Sequence, residues 1–238
     1  LGVAAPMGIP TCRALVREAV GVVGAITPWN FAHQINLAKI GPALAAGNTV
    51  VLKPAAETPW CAAALGELVA EITDIPPGVL NIVTARDHAA GTLLVADPRV
   101  DMISFTGSTA TGRAVMAVAA ATIKKVFLEL GGKSAFLVLD DADLAAACSM
   151  AGFTAAMHAG QGCAITTRLV VPRARYDDAV ATAAATMAGI RPGDVITAVA
   201  GNEVRNVSEL LTRVAGLKPG QASRFSLQRQ EARMEIEV

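Results

Sequence analysis

The chain of 238 residues reads as an α/β protein, with a parallel sheet over most of its length and a small β-rich unit at its end. Three observations carry that reading. Short β-branched runs alternate with longer Ala-rich stretches of helical length. Gly, Pro and Asn punctuate most changes from one to the other. After Gly189 the alternation stops, and turn-flanked strands with one helix take over.

Taken in order, residues 13–17 and 21–26 are expected as paired strands. Residues 48–53, 79–83, 102–106 and 125–130 are short and apolar, as strands covered on both faces are. Residues 59–72, 88–96 and 110–122 fill the gaps as helices. Thr58 stands where it can cap the first of them, with Pro59 at the first helical position. Alternation at this spacing builds a parallel sheet with right-handed crossovers. A strand at 135–139, a helix after Asp143 running to His158, a strand at 168–171 and a helix at 176–188 follow. Gly189 ends that helix. Beyond it, Pro192-Gly193-Asp194 turns into a strand at 195–199, Asn206 caps a helix to Val214, and Pro219-Gly220 turns into strands at 223–229 and 233–238. We therefore expect a first domain over 1–189 and a second over 190–238.

Composition narrows the function. With 53% hydrophobic residues and a mean hydropathy of +0.47 the chain can bury a sizeable core and is not disordered. Twenty basic and twenty acidic residues cancel, leaving no electrostatic footprint for nucleic acid or an anionic membrane. The longest stretch without a formal charge, 144–167, is built of small and polar residues and makes a poor spanning helix. The first residue is Leu1 rather than Met, which fits a fragment or a trimmed reading frame, and no targeting segment is expected. Cys12, Cys61, Cys148 and Cys163 form no CxxC pair and have no histidine at zinc-ligand spacing, so no metal is expected. Lone thiols suit a reducing compartment, here the cytoplasm. The first three are expected to be small buried hydrophobes.

Four segments point to chemistry. Gly160-Gln161-Gly162-Cys163-Ala164 leaves a thiol on an open turn, as a nucleophile needs; a buried cysteine in a Gly-rich loop fits the pentapeptide equally well. In Leu128-Glu129-Leu130-Gly131-Gly132-Lys133 a glutamate sits between leucines at a strand end. Apolar surroundings raise a carboxyl pKa toward that of a general base, whereas a solvent-facing strand end is the ordinary reading. Phe105-Thr106-Gly107-Ser108-Thr109-Ala110-Thr111-Gly112 lies at a strand-to-helix junction, where glycines let backbone N–H groups approach a phosphate. Asn30, in Thr27-Pro28-Trp29-Asn30, can donate its amide to an oxyanion. Lys53 ends a strand on the side where such sheets bind ligands.

Taken together and in order, ITPWNF, LAKIGPALAAGNTVVLKP, FTGSTATG, LELGGK and GQGC make residues 1–191 resemble the aldehyde dehydrogenase superfamily. That resemblance implies a Rossmann-like cofactor domain, NAD or NADP as cofactor and an aldehyde as substrate. It implies that Cys163 attacks the carbonyl to give a thiohemiacetal, with Asn30 and the Cys163 backbone N–H holding the oxyanion. Hydride then leaves for nicotinamide, and Glu129 activates the water that hydrolyses the thioester. Lys53 is implied at the adenosine ribose, Ser108 and Gly107 at the pyrophosphate, and Trp29 and Ile26 along the dinucleotide groove. Gly112 and Leu130 are implied beside the cofactor.

The sequence also departs from the family pattern. The glutamate that selects NAD falls at Ala56, with Glu57 one step on, so NAD and NADP stay open. Ala85 replaces a common glycine, and Ala19 and Ala32 replace usual prolines. The match begins well inside the family's sequence and stops soon after the nucleophile. The walls of the aldehyde channel and the assembly strand are therefore missing, homo-oligomerisation is left open, and little or no turnover is expected of the chain alone.

From 188 onward the chain resembles the second half of a PDZ domain of the bacterial serine-protease type, joined where both families read I-x-P-G-D, Ile190 to Asp194. A PDZ-like interaction module is thus the alternative function, although the carboxylate-binding loop is absent and peptide binding is not expected. A non-catalytic fusion relic is the other alternative. A cysteine hydrolase pairing Cys163 with His158 lacks any supporting pattern.

Overall fold

The structure is a computed structural model that describes residues 2–4, 11–13, 16–190, 194–217 and 222–237. The expected turns at Pro192-Gly193 and Pro219-Gly220 lie outside these residues. The chain divides into two compact units, Leu1–Gly131 and Gly132–Val238.

The first unit opens with β1 (Gly2–Ala4) paired antiparallel to β2 (Thr11–Arg13). Strands β3 (Val22–Ile26), β4 (Thr49–Lys53), β5 (Leu80–Ile82), β6 (Met102–Gly107) and β7 (Lys125–Leu130) form one five-stranded sheet in the order β5-β4-β3-β6-β7. Every pairing in it is parallel. The pairing of 13–17 with 21–26 is therefore corrected. Thr11–Arg13 pairs with Gly2–Ala4, and Val22–Ile26 is the central strand of the parallel sheet. Its five residues read Val-Val-Gly-Ala-Ile and are covered on both faces, which suits a middle strand better than a hairpin arm.

Four helices connect the strands: α1 (Ala32–Ala45), α2 (Pro59–Ile72), α3 (Ala89–Ala96) and α4 (Thr109–Ala120). Helix α1 is absent from the expectations above. Gly41 and Pro42 interrupt its pattern, yet it forms with Pro42 inside it, because Ile40 and Asn36 are buried against the sheet. Helix α2 begins at Pro59 as expected, but Thr58 does not cap it. The Thr58 hydroxyl is buried and has no hydrogen-bond partner.

Side-chain alternation splits the core in two. Val23 and Ala25 of β3 and Val50 and Leu52 of β4 pack with Ile40 of α1 and Ala62 of α2. Ile103 and Phe105 of β6 pack with Val95 of α3 and Val115 and Ala119 of α4, joined by Ile26, Leu128 and Leu130. The chain leaves β3 toward β4 and β5, then returns past β3 to β6, so the strand order reverses between β3 and β6. Open α/β sheets bind ligands outside the carboxyl ends of the strands at such a reversal.

The second unit holds two small sheets. Strands β8 (Ser134–Leu137) and β9 (Thr166–Val170) pair in parallel, connected through α5 (Leu144–Ala156), which packs on α6 (Tyr176–Met187). Asp143 caps α5 by accepting the Ala146 N–H at 3.1 Å. Gly189 ends α6 with φ +84°, as expected of that position. The last stretch is antiparallel, in the order β11-β10-β12-β13, built from β10 (Val195–Val199), β11 (Asn202–Glu203), β12 (Arg224–Arg229) and β13 (Ala232–Glu237). Helix α7 (Val207–Ala215) lies between β11 and β12 in sequence, and Asn206 caps it through the Glu209 N–H at 2.9 Å. Arg229 clamps this sheet to the segment before it, with two bonds of 2.7 Å to Asp194 and one of 2.9 Å to the Gly189 carbonyl.

Candidate functional site

The carboxyl ends of β3, β4 and β6 meet helices α3 and α4 around a cavity of about 420 Å³. Ile26 and Lys53, neighbours in the β3–β4 register, line it, as do Phe105 from β6, His88 and Gly91 from the α3 end, and Thr111 from α4. Alternation explains Lys53: Val50 and Leu52 point to the α1/α2 face, so Lys53 points to the other. Lys53 is 5% exposed, and its side-chain nitrogen makes no hydrogen bond or ion pair among the described residues. A lysine nitrogen with unused donors at an apolar cavity fits the hydroxyl- and phosphate-bearing part of a nucleotide.

Two glycines shape the approach. A Cβ on Gly107 would lie 2.5 Å from the Phe105 ring, and one on Gly112 would lie 2.8 Å from Leu130. A side chain at either place would require Phe105 or Leu130 to shift. Leu130, expected beside the cofactor, is itself packed against Gly112 and the α3/α4 core. The Ser108 hydroxyl caps α4, accepting the Thr111 N–H at 3.2 Å with Thr111 Oγ1 at 2.9 Å. Glu57 is exposed and is not among the residues lining the cavity. Trp29 is 47% exposed on the turn after β3 and does not line it either.

That turn is anchored at its base. The Thr27 N–H donates to the Lys53 carbonyl at 3.2 Å, and its hydroxyl donates to Asn36 Oδ1 of α1 at 2.7 Å. Both side chains are buried, so the path to half-buried Asn30 is fixed from below.

Glu129 requires a correction. The reading of a carboxylate in apolar surroundings does not hold, because Glu129 is exposed. β7 is an edge strand whose exposure alternates strictly, with Val126, Leu128 and Leu130 on the α3/α4 core and Phe127 and Glu129 on the opposite face. The leucines flanking Glu129 in sequence point away from it.

What the opposite face offers Glu129 is charge. Lys39 of α1 is 7% exposed, donates to Ser104 Oγ at 2.9 Å and stands 5.7 Å from the centre of the Phe127 ring. Burial pushes its pKa down to about 8, and attraction to Glu129 opposes that fall. Sequence reasoning missed Lys39, although it lies inside the LAKIGP motif. A lysine in a helix normally signals a solvated face.

Cys163 belongs to the second unit. It is a half-buried free thiol on the turn leading into β9. The approach to it is left-handed, with His158 at φ 52° and Ala159 at φ 54°, conformations that non-glycine residues adopt at a cost. A Cβ on Gly162 would lie 2.5 Å from Ile165, so only glycine fits there. Cys148, by contrast, is fully buried, and burial pushes its thiol pKa up, with Arg175 pulling weakly the other way. Cys61 is half-buried. No helix among the described residues is long and apolar enough to cross a membrane.

Comparison with known proteins gives one consistent picture. The aldehyde dehydrogenase family pattern matches residues 6–204. The chain is 46% identical over 164 residues to 3-succinoylsemialdehyde-pyridine dehydrogenase of a Pseudomonas species, covering 69% of this chain and 34% of that protein. It is 48% identical over 163 residues to an NADP succinate-semialdehyde dehydrogenase of Escherichia coli, covering 68% and 34%. Among solved structures, aldehyde dehydrogenase of Mycobacterium tuberculosis complexed with NAD+ is 51% identical with a TM-score of 0.68, over 71% of this chain and 35% of that one. A Pseudomonas syringae aldehyde dehydrogenase mutant complexed with NAD+ and octanal is 44% identical with a TM-score of 0.70, over 73% and 35%. The chain spans about a third of the length of the curated relatives it matches.

Proposed function

Because the chain belongs to the aldehyde dehydrogenase family, we propose that it carries the cofactor groove and thiol of an NAD(P)-dependent oxidation of an aldehyde to a carboxylic acid. The observation that carries this reading is the cavity at the strand-order reversal, with buried Lys53 presenting an unpaired nitrogen to it. Ile26 and Lys53 would hold the nucleotide, with the Gly107–Ser108 turn close to its phosphates. Once bound, the nicotinamide ring supplies a hydride acceptor.

The chain's own groups would do the rest. Cys163 Sγ attacks the aldehyde carbon, forming the C–S bond while the carbonyl π pair moves to oxygen. The Asn30 amide donates to that oxyanion. After hydride loss the carbon is a thioester. Glu129 takes a proton from water, the resulting hydroxide adds to the carbonyl, and the C–S bond breaks to release the acid and the thiolate. The positive charge of Lys39 lies beside this base.

We assign residues 190–238 as a separate PDZ-like partial unit, supported by the run β10, β11, α7, β12, β13 in one antiparallel sheet. Lone cysteines with no CxxC pair support our reading of a reducing, cytoplasmic location.

A single-turnover experiment tests the catalytic reading. The chain is mixed with NAD+ or NADP+ and a short aldehyde, then followed by reduced-nucleotide absorbance and intact mass. We expect at most one equivalent of reduced nucleotide, with little turnover after it, in the unaltered chain, an accumulated acyl adduct in Glu129→Gln and neither in Cys163→Ser. A burst that survives Cys163→Ser refutes the reading.

A further inference from the structure

The five-stranded sheet has two edges of different character. At one, β5 is three residues long; at the other, β7 runs for six, and among the described residues no strand pairs with its outer side. Unpaired backbone of that length is a template for a further strand. From the order of its side chains we propose that a second copy of this chain fills the place, β7 against β7, antiparallel about a two-fold axis at Phe127.

The free backbone groups can be identified. The Lys125 N–H donates to the Asp101 carbonyl, on the β6 side, at 3.2 Å. Alternate residues of a parallel strand share a direction, so Lys125, Phe127 and Glu129 turn their N–H and C=O groups to β6. Val126, Leu128 and Leu130 turn theirs outward. With the axis at Phe127, Val126 of each copy stands opposite Leu128 of the other, and each such pair exchanges both N–H···O=C bonds. Phe127 then meets its own counterpart at a position without ladder bonds, where side chains come closest. Its ring is 54% exposed in the single chain, so the pairing takes a large apolar surface out of water.

Charge selects this register. Lys125 and Glu129 are exposed, on the same face as Phe127 and two residues to either side of it. Charged residues on an edge normally keep other strands away. Here the axis puts Lys125 of each copy opposite Glu129 of the other, so two attractive pairs flank the rings. An axis one residue to either side would set Lys125 or Glu129 against Phe127 and lose both pairs. A two-fold contact uses the same strand on both copies, so assembly closes at the dimer. One strand per copy makes a small interface, and the dimer it supports is a weak one.

Sedimentation equilibrium of the full chain over about 5–200 µM, the range of a weak dimer, tests the proposal. Lys125→Glu sets like charges opposite each other at both pairs and is expected to weaken the dimer by about tenfold. Phe127→Ala removes the contact at the axis and is expected to weaken it by about threefold to tenfold. Lys125 is exposed, so the thermal midpoint of Lys125→Glu should match that of the unaltered chain. Mixing is the sharper arm. Lys125→Glu and Glu129→Lys each repel their own kind, yet together they restore two opposite-charge pairs. With one partner isotope-labelled, native mass spectrometry should find the mixed dimer in preference to either homodimer. An unaltered chain that stays monomeric throughout overturns the proposal, as does a mixture of folded variants that forms no mixed dimer. If Glu129→Lys does not fold beside Lys39, the first two variants decide alone, and association equal to the unaltered chain's in either overturns it.

Discussion

Replacing Lys39 by Met tests the electrostatics of the first unit directly. The side chain keeps its length, while the buried charge and its bond to Ser104 are removed. In the folded chain the Lys39 pKa is about 8, against 10.5 as its reference value. The difference corresponds to about 3 kcal/mol of cost carried by the folded state while lysine is charged in both states. Below pH 8 that cost is present in full. Between the two values the unfolded chain binds more protons than the folded one, so stability from this residue rises with pH. From pH 7 to pH 9.5 the unaltered chain should gain about 2 kcal/mol relative to Lys39→Met, a shift of about 1 M in urea midpoint. Urea unfolding read by Trp29 and Trp60, both in the first unit, measures it. Glu129→Gln removes the opposing attraction and should move the rise to lower pH. Parallel stability profiles for the unaltered chain and Lys39→Met across this range would refute the reasoning.

Three further outcomes are expected. Gly107→Ala places a carbon against the Phe105 ring, so it should cost about 1–3 kcal/mol in chemical denaturation and weaken dinucleotide binding. Thr58→Val removes a buried hydroxyl that has no partner, so it should be neutral or stabilise by about 1 kcal/mol, read as an equal or higher thermal midpoint. Alkylation at neutral pH should modify half-buried Cys163 well before buried Cys148, whose thiol is held protonated by burial; peptide mass mapping over time gives the order.

The sheet was legible because its strands are local patterns. Residues 125–130 were read as a strand with the same bounds that β7 shows, and 59–72 likewise became α2. Helix α1 was not legible, since Gly41 and Pro42 mask a helix that burial of Ile40 and Asn36 against the sheet maintains. Among site residues, Ile26, Lys53 and Gly107 end strands β3, β4 and β6, and the first two of them line the cavity. Glu129 did not acquire the apolar surroundings its leucine neighbours suggested, because adjacent residues on a strand face opposite ways. Lys39 gave no signal, since a lone lysine in a helix usually marks solvated surface.

By itself, then, the sequence determined most of the strands and helices other than α1, and which side chains bring a thiol, a carboxylate and an amide. Those properties depend on neighbours a few residues away. Only the tertiary structure decided that β3 is the central strand, that Lys53 and Glu129 look out from opposite faces of the sheet, and that Lys39 is buried. These depend on register and on partners tens of residues distant, Ser104 and Phe127 for Lys39, and a charge lowers or raises its energy according to what packs around it in space.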